Sequence, residues 1–439
     1  MFEKNQKKVL NAWTMYDWAN SVHNLVITTV VFPMYFLATT SEKDANGKVV
    51  NDIVDFFGFQ IQNSVLYSYT ISIATLLLVI LNPILTPMAD SSGRRKFFMK
   101  AFCYLGAASC AYFFFFTKGN INPIVIAFGL SIIGWGGSIV FYNSFLPVIA
   151  TEDRLDSLSA KGFTMGYIGS VILLIVNLLM IMQPTLFGLT QADSDSGFTA
   201  RISFLTVGVW WALFAQIPFY YLPKDEPKSF KTGRLTTGVQ ELVKVIKEVR
   251  KNKLITKFLT AFLFYDMGVM TVIYVATIFA DKELHIEKQG LIITLLLIQL
   301  IAIPGSYLAS WLSSKFGNTK GLLIFIFIWS FMPLAAYFTT TQNEFYVIAA
   351  VVGLVMGGIQ SLSRSTFAKL IPNNTTDTAS YFGFYDIIEK IAITLGTFIF
   401  GFVGQFTGSM RNSVLTILVF FIIGFVLLLR VPSKKVYHY

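Results

Sequence analysis

Several side chains that ordinarily seek water lie inside long apolar runs of this chain: Asp17, Asp266, Arg364, Asp386, Glu389 and Lys390. On insertion scales a charge at the centre of a bilayer costs roughly 2.5–3.5 kcal/mol, so such residues turn toward a bundle interior or a water-filled cavity. Asp17 opens a polar stripe, with Asn20 and Asn24 at i+3 and i+7 and His23 on its border. Counted from one end of their runs, these groups lie about 9–15 Å deep at 1.5 Å per residue, which predicts a single layer. Asn143 in the fourth run stands where Arg364 stands in the tenth, and Gln360 lies one helical turn before Arg364.

Two chemistries fit that layer. The carboxylates can bind a cationic group or, once desolvated, carry a proton near neutral pH. Arg364 can hold a carboxylate or another anion through its planar fork. In the competing arrangement the charges are interhelical locks, Arg364 satisfying Asp386 or Glu389 and Lys390 pairing with the rest. His23 titrates in the useful range, and beside Asn20 and Asn24 it can equally serve as a hydrogen-bonding wall.

The elements that must position these groups are membrane spans. Of 439 residues, 54% are hydrophobic and only 13% charged, whereas soluble domains average about 25% charged. Runs long enough to cross a bilayer fall near 13–39, 62–88, 97–117, 121–150, 161–183, 200–222, 254–281, 289–314, 320–340, 344–371, 381–408 and 412–431. The expected class is an all-α, multi-pass membrane protein with about twelve spans in two six-helix bundles. The net charge of +10 sits mostly in alternate loops: Lys4, Lys7 and Lys8, then Arg94, Arg95, Lys96 and Lys100, a run from Lys224 to Lys257, then Lys315, Lys320, Lys434 and Lys435. The opposite loops hold only Lys43, Lys48, Lys118, Arg201, Lys282, Lys288 and Arg411. That asymmetry predicts both termini in the cytoplasm, and it argues against nucleic acid as a partner. The first run is too long for a cleavable leader and contains Asp17.

The predicted organisation is a six-helix bundle over 1–222, a cytoplasmic linker over 223–253 and a second bundle over 254–439. Within the linker, Val239, Leu242, Val243, Ile246 and Val249 recur at helical spacing against Lys244, Lys247, Arg250 and Lys251. This pattern predicts an amphipathic helix on the inner membrane surface. The halves echo each other: Tyr16-Asp17 with Tyr265-Asp266, Gly136-Gly137 with Gly357-Gly358, Pro147 with Pro372, and Gly93-Arg94-Arg95-Lys96 with Gly317-Asn318-Thr319-Lys320. Parallel six-helix repeats place a substrate site at the repeat interface.

Gly162/Gly166, Gly353/Gly357 and Gly404/Gly408 have the spacing that lets helices approach closely. Phe113 to Phe116 read as lipid-facing bulk, and Trp135 and Tyr142 as either cavity wall or packing. Cys103 and Cys110 are seven residues apart on one helix, about 10 Å, which is too far for a disulfide. No metal-spaced His/Cys cluster, nucleophile elbow or Walker motif occurs. An enzyme, a metal and a cofactor are therefore not expected, and energy would come from an ion or solute gradient.

The stretch Met88-Ala89-Asp90-Ser91-Ser92-Gly93-Arg94-Arg95-Lys96 resembles the loop motif between the second and third helices of the major facilitator superfamily, with Thr86 at the family's leading glycine. Four further stretches are similar to the vacuole-effluxer-like branch, which holds fungal vacuolar amino-acid effluxers and bacterial relatives of unassigned substrate. They are Tyr16-Asp17-Trp18-Ala19-Asn20-Ser21, Phe141-Tyr142-Asn143-Ser144-Phe145-Leu146-Pro147, Gly358-Ile359-Gln360-Ser361-Leu362-Ser363-Arg364-Ser365 and Phe382-Gly383-Phe384-Tyr385-Asp386. The resemblance implies a cavity lined by helices one, four, seven and ten, which carry Asp17, Asn143, Asp266 and Arg364. It also implies a gate latch at Asp90 and Arg94.

The resulting expectation is a monomeric secondary transporter of a small polar solute, amino acid or peptide-like, coupled to protons. It would work by alternating access in a bacterial cytoplasmic membrane. The alternatives are an exporter of amphipathic compounds or lipids, and a transporter-like sensor signalling through 223–253.

Overall fold

The computed structural model describes residues 3–44, 49–226, 234–372 and 375–432. Twelve helices in it are long and apolar enough to cross a membrane. They are α1 (Lys7–Thr40), α2 (Asn63–Ser92), α3 (Arg95–Phe115), α4 (Lys118–Ile149), α5 (Glu152–Met182), α6 (Phe198–Tyr221), α7 (Lys253–Leu284), α8 (Gln289–Phe316), α9 (Asn318–Phe338), α10 (Gln342–Leu370), α11 (Thr378–Thr407) and α12 (Met410–Leu428). A linker helix, Arg234–Lys251, precedes α7. Between α1 and α2 the chain forms two antiparallel strand pairs, β1 (Glu42–Lys43) with β2 (Val49–Asn51) and β3 (Ile53–Phe56) with β4 (Phe59–Gln62).

The helix ends follow local chemistry more than hydropathy. Gly93, at φ 65°, closes α2 in the left-handed conformation and sends the chain straight into α3. Thr341 and Glu344 cap one another at the start of α10. α5 begins nine residues before the expected apolar edge at 161, because Glu152 and Asp153 in its first turn suit a helix N-terminus. From His23 to Val31, α1 winds as a π-helix, with Thr29 Oγ1 donating to the Asn24 carbonyl five residues back, at 2.8 Å.

α1–α6 pack mainly among themselves, as do α7–α12. The halves meet where α2 packs on α11 and α5 on α8, with α5·α10 and α4·α11 between them. The first two contacts are equivalent under exchange of the halves. Glycine sets the closest approach inside the second half: a Cβ at Gly353 would lie 2.5 Å from the Ile298 carbonyl oxygen, and one at Gly357 2.1 Å from that of Ala302. Backbone cannot yield as a side chain can. Gly357→Ala should therefore push α8 from α10 and cost about 1–3 kcal/mol or more, read as a lowered melting temperature of the purified protein. Gly401→Ala, with nothing within 4 Å of its Cβ, should leave that temperature unchanged. The third glycine pair is only half a packing pair, since Gly408 is the left-handed cap of α11.

Two further expectations are corrected. Phe113 and Phe116 are fully buried, packed on Phe32 and Tyr35, and only Phe115 is strongly exposed. The linker helix's apolar seam is only partly free for lipid: Val249 is buried where the helix packs on α2, α7 and α11, Ile246 is half-buried, and Val243 is 43% exposed. The same periodicity suits a protein surface and a membrane surface, so sequence could not choose. The positives at Lys48, Lys434 and Lys435, and the side chains of Val239 and Leu242, lie outside the described residues.

Candidate functional site

Arg364 leaves α10 and crosses into the first half. Its Nη1 and Nη2 both lie 3.2 Å from Asp17 Oδ2, Nε donates to Ser159 Oγ at 2.9 Å, and Nη2 also donates to the Ser159 carbonyl at 2.9 Å. Nη1 reaches Asn143 Oδ1 at 3.3 Å. The guanidinium stacks over Phe163 at 4.1 Å and Trp13 at 4.9 Å. Tyr142 donates to the same Asp17 oxygen at 2.7 Å. It is held by Trp13, which stacks on its ring at 4.4 Å and donates from Nε1 to its carbonyl at 3.0 Å. Arg364 and Asp17 are 4% and 8% exposed. This degree of satisfaction is what allows charges to be buried at all. The approach also requires Gly162, whose Cβ would sit 2.4 Å from Asp17 Oδ2 and 2.8 Å from Arg364 Nη2.

The six charges fall into two clusters. In the locking arrangement Arg364 would have satisfied Asp386 or Glu389; it pairs with Asp17 instead, because its side of α10 faces α1 and α5. Asp386 pairs with Lys390 one turn along α11, at 3.2 Å, and accepts from Asn82 Nδ2 of α2 at 2.9 Å. Asp266 of α7 is 4% exposed, and its Oδ2 has no hydrogen-bond partner. Glu389 and Lys390 lie within electrostatic reach of it.

The α1 stripe is broken by the π-helix. Asn20 is buried beside Asp17, whereas Asn24 is exposed. His23 is buried, its Nε2 is 3.0 Å from Ser131 Oγ, and its ring sits 6.0 Å from Trp135 and 5.7 Å from Trp211. Gln360 accepts from Tyr167 of α5 at 2.8 Å, another bond between the halves.

Where α2 meets α11, Asp90 accepts from Ser380 N at 2.7 Å, Ser380 Oγ at 2.8 Å and Ala379 N at 3.3 Å. The cation paired with it is Arg95, at 2.7 Å, and Arg95 also donates to the Thr376 carbonyl. The expected partner Arg94 is exposed. The correction follows from Gly93: its left-handed turn puts Arg94 at the N-cap of α3, pointing away, and brings Arg95 back over Asp90. On the other seam Asp156 of α5 accepts from Asn318 at 2.8 Å and Lys369 at 2.6 Å. Sequence reasoning missed Ser159, Ser380, Asp156 and Lys369. Only the charges among them gave a signal: Asp156 falls between two predicted runs, and Lys369 lies two residues from the end of its own.

Among the described residues, the hydrogen bonds that cross between the halves run from the helix midpoints to the end at which α1 begins. The bundle is therefore closed at that end.

A family model described as "Vacuole effluxer Atg22 like" matches residues 5–437. The chain is 33% identical to YxiO of Bacillus subtilis, named an uncharacterized MFS-type transporter, over 98% of this chain and 96% of that one. It is 25% identical to autophagy-related protein 22 of Saccharomyces cerevisiae, over 79% and 74%. The E. coli fucose:proton symporter FucP has the same fold, with TM-score 0.68 at 15% identity over 98% of both chains.

Proposed function

From the chain's membership of the vacuole effluxer Atg22-like family of MFS-type transporters, we infer that it moves a small zwitterionic solute by alternating access, driven by protons. It is a multi-pass membrane transporter and not an enzyme; the solute and the coupling are the inference. The carrying observation is the Arg364–Asp17 pair, a cation from one half buried on a carboxylate of the other. A solute bearing both signs can compete for each partner, its carboxylate for Arg364 and its ammonium for Asp17. Binding then pulls at the contact that closes one end. Amino acids and short peptides have this chemistry.

In this reading the bundles comprise 1–222 and 254–439, joined by 223–253. The chain acts as a monomer in a bacterial cytoplasmic membrane. The closed, basic end faces the cytoplasm, and Asn20, Asn143 and Gln360 line the path from the other side.

The test is a thermal-shift screen of the purified protein against amino acids, dipeptides, sugars, nucleosides and amphiphilic drugs. A ligand at a hundredfold its Kd adds about 2.7 kcal/mol to the native state. A zwitterion should raise the melting temperature by several degrees and lose that effect in Arg364→Ala. Stabilisation by amphiphiles alone, unchanged in the variant, replaces this reading with an exporter of amphipathic compounds. Binding without flux in proteoliposomes replaces it with a sensor.

A further inference from the structure

We propose that the coupling proton binds at Asp266, in the α7–α11 cluster, apart from the Arg364–Asp17 lock. This deepens the proton-driven reading above by giving the ion its own site. Three carboxylates, Asp266, Asp386 and Glu389, share one ammonium, Lys390. With every group ionised, two negative charges would be left over. The elements packed on α7 supply no remedy: α12 presents Phe421, α10's Arg364 is committed to Asp17, and the remaining titratable neighbours are the phenols of Tyr265, Tyr274 and Tyr385. No trio of ligands suited to a metal ion occurs among the described residues.

Lys390 is already taken, 3.2 Å from Asp386. Asp266 is left with a buried oxygen that has no partner, and an isolated buried charge of that kind costs far more than its neutral form. A proton there removes one surplus charge and leaves a neutral group in place of an unpartnered anion. Tyr274, 45% exposed, lies within reach of Lys390, Glu389 and Asp266.

The site is also wired to the moving seam. Asp386 holds both Lys390 and Asn82 of the opposite half. When Asp266 gives up its proton, its new charge competes with Asp386 for Lys390, and the α2–α11 contact changes with it.

Infrared difference spectroscopy of the reconstituted full-length protein, stepped between pH 5 and pH 9, reads the proton directly through the carbonyl band of a neutral carboxylic acid. Wild type should carry that band at the lower pH and lose it reversibly as pH rises. Asp266→Asn should lack the band's pH-dependent part, and Asp17→Asn should keep it. Lys390→Gln, which removes the only nearby ammonium, should move the band's midpoint upward by about 1–3 pH units, and Glu389→Gln should move it downward. The Lys390→Gln shift tests the site even if Asp266→Asn does not fold. No titrating band in wild type, a band untouched by Asp266→Asn, or a midpoint unmoved by Lys390→Gln overturns the assignment. A titrating Asp266 with flux that ignores the proton gradient leaves the site standing and defeats the proton-driven reading. Proton-driven flux with no such band defeats this site alone.

Discussion

Arg364→Ala is expected to reduce flux of the stabilising solute in proteoliposomes by about a hundredfold or more, with both halves still folded. The substitution removes five donated contacts and leaves Asp17 with Tyr142 as its remaining donor. Taking one partner from a buried pair costs about 3–5 kcal/mol. All of these bonds run from α10 to α1, α4 and α5, so the loss falls on the closed arrangement more than on either half's core. A shift of that size changes a two-state population by roughly two to nearly four orders of magnitude. The protein should then dwell open at the end where α1 begins, without the cation proposed to hold the solute's carboxylate. Arg364→Lys separates charge from geometry: an ammonium can meet Asp17 but cannot also reach both Ser159 acceptors and Asn143. It should retain some stability and lose at least tenfold in flux. Full activity in Arg364→Lys would mean that the fork is not needed. Full activity in Arg364→Ala would return the pair to a purely structural role.

The sequence disclosed this site unevenly, for a geometric reason. Hydropathy and charge place a residue along the membrane normal, and Asp17, Asp266 and Arg364 were found that way. They say nothing of azimuth, so the six charges read as one set when they form two clusters, one at Arg364 and Asp17 and one on α7 and α11. Partner choice was equally hidden. Ser159 and Tyr142 are ordinary helix residues until an arginine from the other half arrives, and Gly162 looked like a packing glycine although it makes room for that arginine. The π-stretch in α1, which separates Asn24 from Asn20, has no composition cue among its Val, Ile, Leu and Thr residues. The Arg94 assignment failed because the motif fixes a spacing, while one left-handed glycine decides which of two adjacent arginines turns inward.

Asp90→Ala should have the second-largest effect, by releasing the α2–α11 seam. Asp90 places a charge from one half on the first turn of the other half's helix, where free N–H groups and the helix dipole both favour an anion. A lost cap costs about 0.5–2 kcal/mol, and a hydrogen bond to a charged group is worth about 1.5–3 kcal/mol. Even with partial replacement by water, about 3 kcal/mol leaves the closed state, roughly a hundredfold in population. A reporter is available at Thr86, which is 1% exposed and faces Gly383 across this seam. In a background with Cys103 and Cys110 replaced by Ala, Thr86→Cys should react slowly with a membrane-impermeant thiol reagent, and up to a hundredfold faster once Asp90→Ala is added. Arg95→Ala should accelerate labelling less, since Asp90 keeps its bonds to Ala379 and Ser380. Arg94→Ala should leave the rate unchanged. Acceleration by Arg94→Ala with none from Arg95→Ala would reverse the pairing. Equal rates in all variants would place the barrier to opening at the Arg364 lock alone, because the two seams would then not share the work of holding this end shut.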